Sequence, residues 1–274
     1  MAGLEGLALL RAEVEGSEPG FFDARFAELA TILAARNEAR LDQAPKVTPI
    51  DTVAGYSVWA STYDGPNPLV ELEEPPVRNL LDSAPPGVVL DAATGTGRYA
   101  DYLTARGHVV VGVDNCPAML DVARAKVPEA EFRLGPLVSL PMEDDAVDLV
   151  VCALALTHQP DLRPVFAEFA RVLRPGGRLI TSDIHYLSLY LGGVADVLYG
   201  DGRVGRMAAS RFLPSDYLRA GLEVGYTPAS CQEIPWPDLA EGHGGPTVQQ
   251  WCPGAARAAY VGMPATIIWD LRLA

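Results

Sequence analysis

Val88-Val89-Leu90-Asp91-Ala92-Ala93-Thr94-Gly95-Thr96-Gly97-Arg98 decides the reading of this chain. The apolar opening reads as a buried strand that ends in an acid, passes through a glycine-rich turn and enters a helix over about residues 98–106. Glycine has no Cβ and tolerates positive φ, so such a turn lets a ligand approach the backbone closely. The helix behind it aims its free N–H groups at the same place. Asp91 is as informative as the glycines. A dinucleotide fold has an apolar strand end at this point, whereas a carboxylate suits a ligand that carries hydroxyls and positive charge.

The glycines alone do not discriminate, because Gly95-x-Gly97-x-x-Ala100 also meets the dinucleotide fingerprint with Ala as its third member. The next strand, His108-Val109-Val110-Val111-Gly112-Val113-Asp114, again ends in an acid. A carboxylate there can accept both hydrogen bonds of a ribose diol, in a nicotinamide dinucleotide or in S-adenosylmethionine. Either Asp taken singly also reads as a helix cap or loop residue. Two of them at strand ends around one glycine turn favour a ligand site.

The third block is Leu140-Pro141-Met142-Glu143-Asp144-Asp145-Ala146-Val147-Asp148-Leu149-Val150-Val151, a loop running into a strand. After it come His158, a helix near residues 162–173, and Leu173-Arg174-Pro175-Gly176-Gly177-Arg178-Leu179-Ile180. Upstream stands Tyr56-x-x-Trp59-Ala60-x-x-Tyr63-Asp64. This order of blocks resembles the class I S-adenosylmethionine-dependent methyltransferases, closest to the small-molecule branch of ubiquinone and menaquinone biosynthesis. The resemblance covers residues 56–184 well and the C-terminal part more loosely.

The resemblance implies an α/β fold: a Rossmann-like, mostly parallel seven-stranded sheet with helices on both faces and its last strand antiparallel. It implies S-adenosylmethionine as cofactor. Ala93, Gly95 and Gly97 would meet its methionyl part and ribose through the backbone. Asp91 would orient the ammonium, and Asp114 would hold the ribose hydroxyls. Asn115 and Met119 would flank the adenine, with Leu137 meeting it from the following loop. One departure is visible: Pro136 stands where the family usually has an acid to accept from the adenine amino group. Tyr56 and Tyr63 would cap the methionine carboxylate, or else pack as aromatics under a lid.

His158 and His185 follow the fourth and fifth strands of the expected sheet, at its active edge, and are the catalytic candidates, since imidazole titrates in the range suited to a general base. Either could instead bind a backbone carbonyl. Tyr186, Tyr190 and Trp236 are the substrate-binding candidates, with Tyr186 orienting an acceptor hydroxyl. His243, between glycines, reads as a lid residue or as nothing. No His, Cys, Asp or Glu cluster has metal-ligand spacing, so no metal is expected.

From residue 87 onward strands near 88–92, 109–113, 131–134, 147–154 and 177–184 alternate with helices near 98–106, 117–127 and 162–173, which demands a parallel sheet. A helix at 214–224 and strands at 229–233 and 266–273 complete it. Phe22, Phe26, Leu29, Ile32 and Leu33 give helical spacing over 21–41, and 42–52 reads as a linker. The expected organisation is a helical cap and linker at 1–55, then a catalytic domain at 56–274 with lid insertions near 186–212 and 235–262.

With 274 residues, 49% of them hydrophobic, the chain can bury a large core, and its formal charge of −14 opposes binding to a phosphate backbone. No nucleic-acid partner is expected. Residues 187–199 are apolar but too short to span a bilayer, and no membrane partner is expected either. Cys116, Cys152, Cys231 and Cys252 form no CxxC pair, and a reduced, cytoplasmic chain is the economical reading. The expected partner is a small-molecule acceptor, aromatic or apolar from the tyrosines and tryptophans of the lid segments; a homodimer is left open. Three functions remain open: methylation at O, N or C of a small metabolite, another S-adenosylmethionine-using reaction such as a cyclase, and a NAD-dependent dehydrogenase.

Overall fold

The computed structural model describes residues 1–35, 47–200, 203–239, 243 and 246–274. The first elements are α1 (Ala2–Glu15), α2 (Phe21–Ala35), β1 (Val47–Ile50), α3 (Thr52–Trp59) and α4 (Pro68–Asp82). There follow β2 (Val88–Ala92), α5 (Arg98–Thr104), β3 (Val109–Asp114), α6 (Pro117–Lys126), β4 (Glu131–Leu134) and β5 (Val147–Ala153). A short 3-10 turn, Leu156–His158, leads to α7 (Arg163–Val172), β6 (Leu173–Ile184), α8 (Tyr186–Tyr190), β7 (Asp196–Leu198) and β8 (Val204–Met207). The chain closes with α9 (Pro214–Glu223), β9 (Tyr226–Pro235), α10 (Pro246–Trp251), α11 (Pro253–Tyr260) and β10 (Pro264–Leu273). Two compact units result: Val47–Ile234 with Ala265–Ala274, and Met1–Lys46 with Pro235–Pro264.

The larger unit holds a seven-stranded sheet in the order β4-β3-β2-β5-β6-β10-β9. β2 pairs in parallel with β3 and with β5, β3 with β4, and β5 with β6. β10 enters antiparallel beside β6, placing Thr266 opposite Ile184 and Arg272 opposite Arg178. The parallel strands are those that the alternation of strands and helices implies, and the antiparallel β10 is the one that the resemblance implies. Successive side chains of a strand face opposite ways, so Leu90 and Val89, Leu179 and Ile180, and Ile267 and Ile268 are shared between two cores. One core gathers Leu90, Leu179 and Ile267 with Phe166 and Phe169 of α7 and Tyr226. The other gathers Val89, Ile180 and Ile268 with Val77 and Leu81 of α4 and Tyr99 and Leu103 of α5.

Six elements of this unit, β1, α3, α4, α8, β7 and β8, lie outside the sequence-based expectation. Val47–Ile50, inside the expected linker, is a strand that pairs in parallel with β8, which in turn pairs antiparallel with β7. The insertion near 186–212 is therefore built as α8 and two strands of a small three-stranded sheet. α3 starts on Asp51, whose side chain accepts from Val53 N and Ala54 N, and its Gly55 lies where a Cβ would come within 2.6 Å of Met207 Sδ. α4 starts on an Asn67 cap with Pro68 in its first turn, and carries Pro75 and Pro76 inside the helix.

In the smaller unit Ala8 of α1, Ile32 of α2, and Cys252 and Ala255 beside and within α11 share a core. Arg11 donates 2.9 Å hydrogen bonds to the carbonyls of Ala259 and Val261, closing the end of α11. The helix expected over 21–41 is seen over Phe21–Ala35; its remainder, and 42–46 of the expected linker, lie outside the described residues. The 235–262 segment, expected as a lid insertion, falls largely in this unit and supplies α10 and α11. Among the described residues no helix is long and apolar enough to cross a membrane.

Candidate active site

The carboxyl ends of β2, β3 and β5 open onto a cleft lined by Ala93, Asp114 and Ala153 among others. Its floor is the turn after β2. Ala93 and Gly95 both have positive φ there and both line the cleft. A Cβ on Gly95 would have nothing within 4 Å, so this glycine leaves an open cradle rather than filling a packed corner. Leu154, after β5, is another non-glycine residue at positive φ on the wall of the cleft. Strain of this kind costs about 1–3 kcal/mol per residue and gathers where function over-determines the backbone.

Gly97 does not line the cleft. It turns the chain into α5, and a Cβ at its φ of +82° would stand 3.2 Å from that of Ala123 on α6. Its service is to turn and packing.

The two strand-end acids differ in their engagement. Asp91 is buried, and its Oδ2 accepts from Thr94 Oγ1 at 2.5 Å and from Ala100 N at 3.0 Å. Burial pushes the carboxyl up to about 6, against the pull of those donors and of Arg98. Asp91 is not itself on the cleft wall. Asp114 is, and its two oxygens accept from Gly95 N and Cys116 N, both at 2.8 Å. Burial raises its pKa while the backbone N–H groups of Cys116, Gly95 and Asn115 lower it. Asn115, Met119 and Leu137 line the same cleft, as does Pro136 at the place of the missing acid.

The aromatic motif on α3 and beyond closes one side. Tyr56 and Tyr63 line the cleft, with ring centroids 5.9 Å apart, and Tyr56 packs edge-on against Trp59 at 5.7 Å. Asp64, next in the motif, accepts from Thr96 Oγ1 at 2.6 Å and from Lys126 Nζ at 2.5 Å, tying the motif to the glycine turn. Behind the turn Glu73 of α4, wholly buried, accepts from Tyr99 Oη, from Arg98 Nη1 at 3.0 Å and from Ser182 Oγ at 2.5 Å.

His158 lines the cleft beside Tyr56, their rings 5.5 Å apart. Its Nδ1 lies 2.9 Å from the carbonyl oxygen of Ala208, which can only accept, so Nδ1 carries the proton. Nε2 is then the acceptor of a 2.9 Å hydrogen bond donated by Tyr56 Oη. Burial lowers the pKa of the imidazole, which favours this neutral tautomer. Ser210 N and Thr157 O, with Thr157 Oγ1 and Ser210 O, further stitch the segment after β8 to this turn.

His185 is placed differently from its expectation. It is buried outside the cleft lining, its Nε2 bonded to Glu233 Oε1 at 3.0 Å while its Nδ1 accepts from Leu187 N and caps α8. Outside the lining, and with Nδ1 turned to Leu187 N and Nε2 to Glu233, it presents no lone pair to the cleft. Tyr186 and Tyr190 pack on each other in α8, and Tyr190 is 63% exposed; neither lines the cleft. Trp236 belongs to the smaller unit. His243, also in that unit, stacks on Tyr260. Among the described residues no group of three His, Cys, Asp or Glu side chains could hold a metal ion.

Asp183 is absent from the sequence-based set, although it stands near the carboxyl end of β6 much as Asp91 and Asp114 end their strands. That signal could have found it. It accepts from Tyr217 Oη at 2.9 Å, from Ile184 N at 2.8 Å and from the backbone of Thr157, beside His158. Burial pushes its carboxyl up to about 7. An acid whose folded pKa exceeds its unfolded value of ~3.9 favours folding in its neutral form, and that contribution is lost as pH rises from about 4 to 7. In urea unfolding, Asp183→Asn should therefore flatten the fall of stability over this interval, by about 1.4 kcal/mol per pH unit at most. Parallel pH profiles for the two proteins would contradict the assignment.

Comparison with known proteins follows these features closely. A family model described as "Methyltransferase domain" matches residues 90–181. An uncharacterized methyltransferase of Mycobacterium tuberculosis is 47% identical over 91 residues, covering 33% of this chain and 37% of that protein. The malonyl-[acyl-carrier protein] O-methyltransferase of Serratia marcescens is 31% identical over 167 residues, 61% of this chain and 64% of the relative. The chain thus spans between about a third and two thirds of these relatives' lengths. In fold, it matches the crystal structure of an S-adenosylmethionine-dependent methyltransferase from Mesorhizobium loti with a TM-score of 0.57 at 20% identity, over 73% of this chain and 97% of the other. Residues 90–181 thus match a methyltransferase domain, and the sheet around them has the fold of that S-adenosylmethionine-dependent methyltransferase structure.

Proposed function

We propose that this chain transfers a methyl group from S-adenosylmethionine to a small organic acceptor. The observation that carries the reading is the pair of strand-end carboxylates, Asp91 and Asp114, around the open Gly95 cradle. The residues present fit the cofactor. The Asp91 carboxylate, just behind the Ala93–Gly95 turn, suits the methionyl ammonium through water. Asp114 keeps lone pairs for two ribose hydroxyls after accepting from Gly95 and Cys116. The backbone at Ala93 and Gly95 suits the methionyl part and ribose, Asn115, Met119 and Leu137 the adenine, and Tyr63 the methionine carboxylate.

When bound, the cofactor supplies an electrophilic methyl carbon on a sulfonium. The chain's share is alignment and exclusion of water, and well-oriented reactants gain roughly 7–11 kcal/mol of barrier this way. His158, neutral and on the cleft wall, is the base, and the segment holding Ala208 fixes its tautomer. The aromatic wall of Tyr56 and Tyr63 suits an aromatic or apolar acceptor. The reading is tested by incubating the chain with S-adenosylmethionine and a broad panel of acceptors. Methylated product with equimolar S-adenosylhomocysteine is expected; turnover without S-adenosylhomocysteine would favour a different reaction on the same cofactor.

The raised carboxyl of Asp91 adds a pH dependence. A cation binds the ionised form, so protonation of Asp91 below pH 6 must be reversed on binding. Calorimetry should show S-adenosylmethionine affinity falling as pH drops below 6, approaching tenfold per unit. Asp91→Asn should bind weakly and without that slope. An equal slope in the variant would remove Asp91 from ammonium binding.

A further inference from the structure

Building on the methyl-transfer reading, we infer that Tyr56 and His158 form a two-step proton relay for a hydroxyl-bearing acceptor, with Tyr56 as the group that meets the acceptor. Both nitrogens of His158 are engaged, Nδ1 by the Ala208 carbonyl and Nε2 by Tyr56 Oη. An acceptor in the cleft cannot reach the Nε2 lone pair without displacing the phenol. The phenol is not free to leave, because its ring is held edge-on by Trp59, Tyr63 and His158, with centroids between 5.5 and 5.9 Å. What it can offer an acceptor is a lone pair on Oη.

Tyr56 is no base by itself. Burial, with Tyr63, Asp114 and Asp183 around it, raises its pKa well above the ordinary phenol value, so a standing phenolate is disfavoured. It can accept a proton only as it hands on its own. The acceptor O–H breaks as its proton bonds to Tyr56 Oη, while the original Oη–H proton passes to His158 Nε2. The acceptor oxygen forms its bond to the methyl carbon, and the electron pair of the carbon–sulfur bond stays on sulfur. The resulting imidazolium, on a half-buried ring, returns its proton to water. Acceptors already ionised at neutral pH need no such relay, so the geometry points to alcohols or phenols and to O-methylation.

The experiment uses the full chain with S-adenosylmethionine and a panel of simple phenols and primary and secondary alcohols, with amines and carboxylic acids as comparison. For the best hydroxyl acceptor, Tyr56→Phe should lower kcat at least about 100-fold, the scale of general acid–base catalysis. S-adenosylmethionine affinity by calorimetry should stay within about twofold of the parent, which a merely structural or cofactor role would not give. In mixtures of light and heavy water the parent's kcat should curve, as two protons in flight require. Independently of any acceptor, Tyr56→Phe should raise the titration midpoint of His158 seen by NMR, because the variant no longer donates to Nε2. A preserved kcat, a linear isotope profile or an unmoved His158 titration would each overturn the relay. Turnover confined to amines would overturn it while leaving methyl transfer intact. Absence of S-adenosylhomocysteine with every acceptor would overturn the methyl-transfer reading and the relay with it.

Discussion

Asp114→Ala is expected to weaken S-adenosylmethionine binding at least about tenfold, since two hydrogen bonds to the ribose are worth about 0.5–1.5 kcal/mol each and 1.4 kcal/mol is a factor of ten. The geometry adds to this. The same carboxylate accepts from Gly95 N and Cys116 N, so its removal also releases the glycine turn from β3 and frees the backbone that leads into α6. Asp114→Asn keeps one acceptor oxygen and should fall between the parent and the alanine variant. Calorimetry on the three proteins gives the order directly. Unchanged affinity in the alanine variant would contradict the ribose assignment, and equal losses in both would mean that charge alone matters.

The second large effect concerns Glu73. Glu73→Ala leaves the Tyr99 hydroxyl and the Ser182 hydroxyl without their acceptor and Arg98 without its buried partner. Breaking a buried charge pair in this way costs about 3–5 kcal/mol. Arg98 and Tyr99 open α5 directly after Gly97, and Ser182 lies on β6, so the loss reaches the wall behind the cofactor cradle. Urea unfolding should register the drop. A change under about 1 kcal/mol would show that the cluster is solvated when its acid is removed.

Glu73 also shows where sequence reading stopped. The central strands were legible because apolar runs end in acids, glycines or turns, and short-range patterns of that kind need no partner to be recognised. α4 was not legible, since Pro75-Pro76 contradicts an interior helix and three glutamates dilute its apolar face. Its Asn67-Pro68 opening was the one available signal. β1 has no local signature; it exists because β8, more than 150 residues later, supplies its hydrogen bonds. The same limit applies within the site. Asp114 is legible as the acid that ends strand two, Asn115, Met119 and Leu137 only through the resemblance, and all four stand on the cleft wall. Asp91 and Gly97 come from the same stretch but sit behind the wall, one holding the turn and the start of α5, the other packing against α6. His158 and His185 occupy equivalent places after neighbouring strands. What separates them is Glu233 and the α8 cap for one, and Tyr56 and Ala208 for the other, partners distant in sequence.

The most direct test of the account is a crystal structure of the chain with S-adenosylhomocysteine. The ribose hydroxyls are expected on Asp114 and the amino-acid end over the Ala93–Gly95 turn beside Asp91. A nucleoside seated anywhere else, or a chain that does not bind it at all, would contradict the account.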